Sequence, residues 1–310
     1  MPLRAYIAAL VLAVSSGPAL AADLVGYSEA FDTLYRVDLS ARTAQEVGPA
    51  GYIGGRRIAN IEGLTYSPSG QLYAVSDTLK ALLQINPQTG VATVIGPLNL
   101  AGQNISQQLD LGLAFSCDGS LWLSAGNGKF WQVDPATGTT TPVGDLGVKI
   151  TGLASNGKQL FGTGSQGNNN LYLIDTATAE TTLIGAYGDQ ASYVTTASPG
   201  FDASGQLRAI LAYVPPQPGS TSVPEWSDLA LLDTSSGKLI NTGNITGDAH
   251  LQIDFAGGFK GLAIAPGTCL LGNLSGTAPA PALSWIGMAA MMALLALVAG
   301  TRLGGRRPNA

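Results

Sequence analysis

The chain holds little of what most catalytic centres are made from. His250 is its one histidine in 310 residues, which excludes a multi-histidine metal centre and makes any Ser/His/Asp set depend on that single imidazole. No GxSxG nucleophile elbow occurs. No DxDxDG run accompanies the aspartates, so a calcium loop of that type is excluded. Charge is scarce too, at 11% of residues, and its balance is acidic. All 20 acidic residues lie between Asp23 and Asp254, whereas four of the 15 basic ones, Arg4, Arg302, Arg306 and Arg307, sit in the end segments. That leaves 11 basic against 20 acidic residues in the body of the chain, a net of −9. Without clustered Lys and Arg, a nucleic-acid partner is disfavoured. GTGSQG, Gly162 to Gly167, fits GxGxxG, but it sits at a strand end with no helix after it and reads as a hairpin, not a dinucleotide loop.

What the chain does have is turns and β-formers, with 41 glycines and 17 prolines. The stretch from Ile61 to Leu98 is the unit from which it is built. LTYS, QLYAV, ALLQIN and VATVIG are four short strands rich in β-branched and aromatic residues, and SPSG and NPQTG are the turns between them. The pattern returns at Asp110 to Gly144, at Ile150 to Gly185 and, more loosely, at Ser198 to Gly243, where PPQPGSTSVPE is inserted. Four antiparallel strands in about 40 residues, repeated, describe a β-propeller blade. From Asp23 the pattern starts in mid-unit, and the missing first strand turns up at the other end as FKGLAIAP, Phe259 to Pro266. One blade assembled from both termini would leave no sheet edge open. The expected fold is therefore an all-β, five-bladed propeller over residues 22–273; a sixth blade stays open if TCLLGN adds a strand.

Asp38, Asn86, Asp134, Asp175 and Asp233 recur at one position of the five copies. Their Asx side chains are expected to cap their own hairpin turns. The long connections PAGYIGGRRIANI, PLNLAGQNISQQL, AYGDQASYVTTA and NITGDAHLQIDFAGG should gather on one face around the channel, the default place for a ligand. Arg56, Arg57, Glu62, Tyr193, His250, Asp254 and Lys260 are the ligand-face candidates. Glu62, Asp110 and Asn104 are candidates for a carboxylate–amide calcium site, similar to the channel-mouth sites of propeller hydrolases. Only Glu62 supplies a carboxylate directly before a repeat's Gly-Leu, however; Leu111, Thr151, Pro199 and Lys260 stand in the matching places. No cofactor and no catalytic residue is assigned. Cys117 and Cys269 each follow an inner strand and should emerge on the same side, where a disulfide would pin the tail to the third copy.

The ends read as addresses. MPLRAY, then IAALVLAV, then Ala19-Leu20-Ala21 form a signal peptide over residues 1–21, with cleavage between Ala21 and Ala22. Residues 274–282 are a Pro/Ala linker, and 283–303 form an apolar helix able to cross a bilayer. The basic residues 304–310 then lie in the cytoplasm and the propeller outside. Pro281, Leu283, Ser284, Gly287 and Met288, followed by the helix and the Arg cluster, resemble the PEP-CTERM/IPTL-CTERM sorting signals handled by exosortase-type proteases, although Ala280, Ala282 and Trp285 depart from the motif. The resemblance implies a sorting protease as partner and delivery to the cell surface. The function expected is recognition of a surface glycan or protein. A metal-dependent hydrolase or lactonase, or a purely structural surface protein, are the alternatives.

Overall fold

The computed structural model describes residues 25–30, 32–101, 103–104, 106–165, 167–188, 194–213, 227–247, 258–265 and 269. Among the described residues five blade sheets follow one another around an axis, each built on four antiparallel strands, with a short fifth strand added to one of them. Blade 2 (Ile61–Tyr66, Leu72–Ser76, Ala81–Ile85, Ala92–Pro97), blade 3 (Leu111–Phe115, Leu121–Ala125, Lys129–Val133, Thr140–Asp145) and blade 4 (Ile150–Ser155, Leu160–Gly164, Asn170–Ile174, Thr181–Ala186) match the repeats. Blade 5 (Val194–Phe201, Leu207–Tyr213, Ser227–Leu232, Leu239–Asn244) begins four residues earlier than the pattern suggests. Blade 1 is the hybrid: Val25–Ala30, Thr33–Asp38 and Thr43–Pro49 take Lys260–Ala265 as their innermost strand.

That closing strand runs antiparallel to the first, with Val25 opposite Ala265, Gly26 opposite Ile264 and Glu29 opposite Lys260. A second seal forms at the rim, where Thr246–Gly247 pairs in parallel with Thr43–Ala44. Because successive side chains on a strand point to opposite faces, Leu262 and Ile264 enter the core shared with blade 5 while Ala263 enters the core shared with blade 2. Each of the five apolar clusters spans two adjacent blades. Trp131 and Leu113, for example, meet Leu82 and Tyr73, and Trp122 and Phe130 stack at 5.5 Å against the Ile150 and Tyr172 side. Burial falls from the axis outward: Leu111–Phe115 is buried throughout, whereas the outermost strands alternate or are exposed.

The recurring Asx residues do cap their turns, with the Oδ1 of Asp38, Asn86, Asp134, Asp175 and Asp233 each accepting from the N–H two residues on. The GxGxxG stretch leads out of Leu160–Gly164 towards Asn170–Ile174 in the same sheet, as a hairpin. PAGYIGGRRIANI, expected to be loop, contains a small hairpin of its own, Tyr52–Ile53 paired with Arg56–Arg57. Expectations placed on Ala21, Ala22, Tyr193, His250, Asp254, Pro281, Leu283, Ser284, Gly287 and Met288 lie outside the described residues.

One glycine per inner strand lets the blades meet on the axis. Gly63, Gly112, Gly152, Gly200 and Gly261 each stand against the backbone of the next inner strand. A Cβ on Gly63 would be 2.7 Å from the Leu113 nitrogen, and its φ of +53° is left-handed as well. Gly63→Ala is therefore expected to cost roughly 2–4 kcal/mol, from overpacking and left-handed strain together. Urea unfolding checks it; a loss below about 1 kcal/mol would mean that the inner strands are free to spread.

Candidate functional site

The five inner strands all begin at the mouth where the long connections arrive, and their first residues line its centre. Glu62 is 4% exposed there. Its Oε1 accepts from Lys260 Nζ at 2.9 Å and its Oε2 from the Leu111 N–H at 2.6 Å. Lys260 also donates to Asn60 Oδ1 at 3.0 Å. Asn60 in turn donates its backbone N–H to Asp32 Oδ1 at 2.6 Å, and Asp32 Oδ2 pairs with Arg57 Nε at 3.1 Å. Buried Glu29, the cross-strand neighbour of Lys260, accepts the Asp32 N–H. Charge, blade closure and the start of blade 3 are thus tied into one network.

Burial sets the electrostatics. It pushes the Glu29 carboxyl from 4.5 up to about 8, against the pull of the Asp32 N–H and Lys260. It also pushes up the Glu62 carboxyl, opposed by Lys260 and by the Leu111 N–H. Burial alone would draw Lys260 down, but the carboxyls of Glu62, Glu29 and Asp110 outweigh it and hold the ammonium above its ordinary value. A second buried pair, Asp77 with Lys80, clamps the neighbouring connection. Lys80 donates to Gln107 O at 2.7 Å, and Asp77 Oδ2 accepts the Leu109 N–H at 2.9 Å.

The central recess is lined by Glu62, Asp110, Thr151, Ser198 and Lys260 among others, with a volume of about 20 Å³. That is space for one water molecule. The hydroxyl of Thr151, buried in this wall, has no hydrogen-bond partner among the described residues. At the opposite mouth Tyr66, Phe115, Phe201 and Leu262 surround about 50 Å³ beside Cys269. There Cys117 and Cys269 form a disulfide with Cα atoms 5.0 Å apart.

The structure thus brings Glu62, Lys260 and Asp110 together. Asn104 instead accepts the Ser106 N–H within its own loop and does not line the recess. Among the described residues no three His, Cys, Asp or Glu side chains converge as metal ligands. Arg57 reaches the network through Asp32, and exposed Arg56 stands on the small hairpin. Asn60, Glu29, Asp77 and Lys80 went unmarked by sequence reasoning. The charged residue inside VGYSEA, in a strand due to be covered by the closing one, was the available signal for Glu29.

These features define a five-bladed β-propeller whose axial mouth is sealed by a compensated charge cluster. No protein-family model and no curated protein matches the sequence. Among solved structures, a chain of the nidogen/laminin complex is similar at a TM-score of 0.48 and 15% identity, over 78% of this chain and 98% of that one. A gluconolactonase from Xanthomonas campestris is similar at 0.43 and 15%, over 72% and 77%. Virginiamycin B lyase from Staphylococcus aureus follows at 0.42 and 13%, over 74% and 73%.

Proposed function

We propose that the chain is an exported, surface-associated propeller that recognises a ligand on the long-connection face and carries out no chemistry there. The observation that supports this most directly is the state of Glu62. A metal-dependent lactonase needs several carboxylate or amide oxygens converging on an ion, whereas both oxygens of Glu62 are committed, one to the internal cation Lys260 and the other to a backbone N–H. The recess beside it has a water's volume, too small to take a sugar lactone. Export is supported by the Cys117–Cys269 bond, since disulfides persist in oxidising compartments. In this reading residues 1–21 are removed, and residues 283–303 anchor the chain to the membrane or deliver it to a sorting protease.

Purified chain dialysed against calcium and zinc and then analysed for metal is expected to hold neither in stoichiometric amount. It is also expected to leave aldonolactones unhydrolysed. Stoichiometric metal that disappears on Glu62→Ala, together with lactone hydrolysis, would establish the hydrolase instead.

A further inference from the structure

We infer that one flank of blade 2 is a second binding site, a groove for a neutral, hydroxyl-rich glycan, at the end of the propeller opposite the long connections. It goes beyond the reading above, which concerns the other face. The inner strand of the blade starts at the long-connection mouth and its strands alternate in direction, so the turns at 67–70 and 86–90 both lie at the far end. Between them opens a groove of about 710 Å³, the size of a small-ligand site.

Strand register gathers its polar groups on one wall. Tyr73, Gln84 and Thr93 are direct cross-strand neighbours and share a face. Gln71, Asn86 and Val91, each two residues along from one of them, continue that face. No charged residue lines the groove, and in this blade 2 stands apart. At the positions matching Gln84, Asn86, Val91 and Thr93, every other blade carries charge: Arg36 and Asp38 in blade 1, Asp134 in blade 3, Asp175 and Glu180 in blade 4, Asp233 and Lys238 in blade 5. Asn86 caps its turn just as the aspartates do, so the turn itself does not require an amide there. The effect of the amide is to leave the groove neutral on a body of net −9.

The groups left over are of one chemical kind. The side chains of Gln84, Gln88 and Thr93 make no hydrogen bond among the described residues. Tyr73 Oη donates to Gln71 Oε1 at 3.3 Å, which leaves the Gln71 amide N–H groups without an acceptor there. A carboxamide sets a donor beside an acceptor, and a hydroxyl is both at once, so a row of amides complements a row of hydroxyls. Val91, 52% exposed, offers an apolar strip to the C–H side of a sugar ring. A charged ligand would meet no counter-charge in this groove. An extended peptide adds to the edge of a sheet, whereas this wall is a face.

Full-length protein in detergent is immobilised and presented with maltohexaose, cellohexaose, laminarihexaose and chitohexaose, with hexagalacturonate as the charged control. At least one of the four neutral hexasaccharides is expected to bind with a Kd of about 1 mM or tighter, and hexagalacturonate at least about tenfold more weakly. Binding of the neutral chain is expected to stay constant between about 50 and 300 mM salt, because no ion pair forms. Gln84→Leu keeps the bulk of the side chain and removes its donor and acceptor, so binding should weaken about tenfold while the thermal midpoint stays put. Arg56→Ala, on the long-connection face, should leave this binding unchanged. Absence of binding by all four neutral chains overturns the assignment, as does hexagalacturonate bound equally well. Binding that both Gln84→Leu and Gln88→Ala leave untouched overturns it too. A neutral chain lost on Arg56→Ala but kept by Gln84→Leu removes the groove's role and leaves recognition on the long-connection face standing.

Discussion

Removing the Cys117–Cys269 disulfide is expected to lower the stability of the propeller by about 5 kcal/mol, a thermal shift on the order of 10–20 °C. The two cysteines are 152 residues apart. In the chain-entropy account, cross-linking so long a loop takes more freedom from the unfolded chain than almost any local contact could. The Cα separation of 5.0 Å lies within the range that a disulfide spans without moving backbone. Position adds to length. Cys269 follows the end of the closing strand at Ala265 by four residues, and Cys117 stands in the turn after the inner strand of blade 3. The bond therefore holds the one strand whose loss would open the ring, from across the mouth opposite Glu62 and Lys260. Cys117→Ala combined with Cys269→Ala, unfolded in urea without reductant, measures the effect, and wild type unfolded in excess dithiothreitol should match it. A difference under about 1 kcal/mol would show that the apolar packing of Phe259, Leu262 and Ile264 closes the ring unaided.

The architecture was legible because a blade is a local object. Strand periodicity, the Asx-capped turns and the Gly-Leu at each inner strand all lie within about 40 residues, and the copy at Lys260–Ala265 announced closure simply by being out of place. The charge cluster was half legible. Glu62 and Lys260 occupy the same position of successive inner strands, so the alignment that exposed a missing ring of ligands also placed a cation beside the lone carboxylate, 198 residues away. What could not be read was which groups burial would perturb. Glu29 is an ordinary acid in an ordinary strand until the closing strand covers it. The Tyr52–Arg57 hairpin escaped because two-residue strands carry no periodicity, and only its Gly-Gly tip signals a turn.

Lys260→Met is expected to cost about 3–5 kcal/mol at pH 8 and about 1 kcal/mol at pH 5. Taking one partner from a buried pair leaves the other charge uncompensated, which costs more than the pair itself contributes. Here Glu62 would keep the Leu111 N–H but lose its cation, and Glu29 would lose the only ammonium facing it among the described residues. The pH dependence follows from the protons. With its carboxyl at about 8 in the fold and 4.5 as the ordinary value, Glu29 is protonated in the folded chain over a range where the unfolded chain has released that proton. The folded state then binds more protons, so stability falls as pH rises from about 4.5 to 8 and levels off above. Without Lys260 both carboxyls rise further and the fall steepens. At pH 5 the two acids stay neutral at little cost, because the unfolded chain holds nearly the same protons; at pH 8 the fold must either bury their charge unpaired or keep protons that the unfolded chain has released. Urea unfolding of both proteins at the two pH values gives the four numbers required, and Glu62→Gln added to Lys260→Met should recover most of the loss at pH 8. An equal cost at both pH values would mean that the Lys260 stem contributes only by packing, and that the mouth is not held by charge.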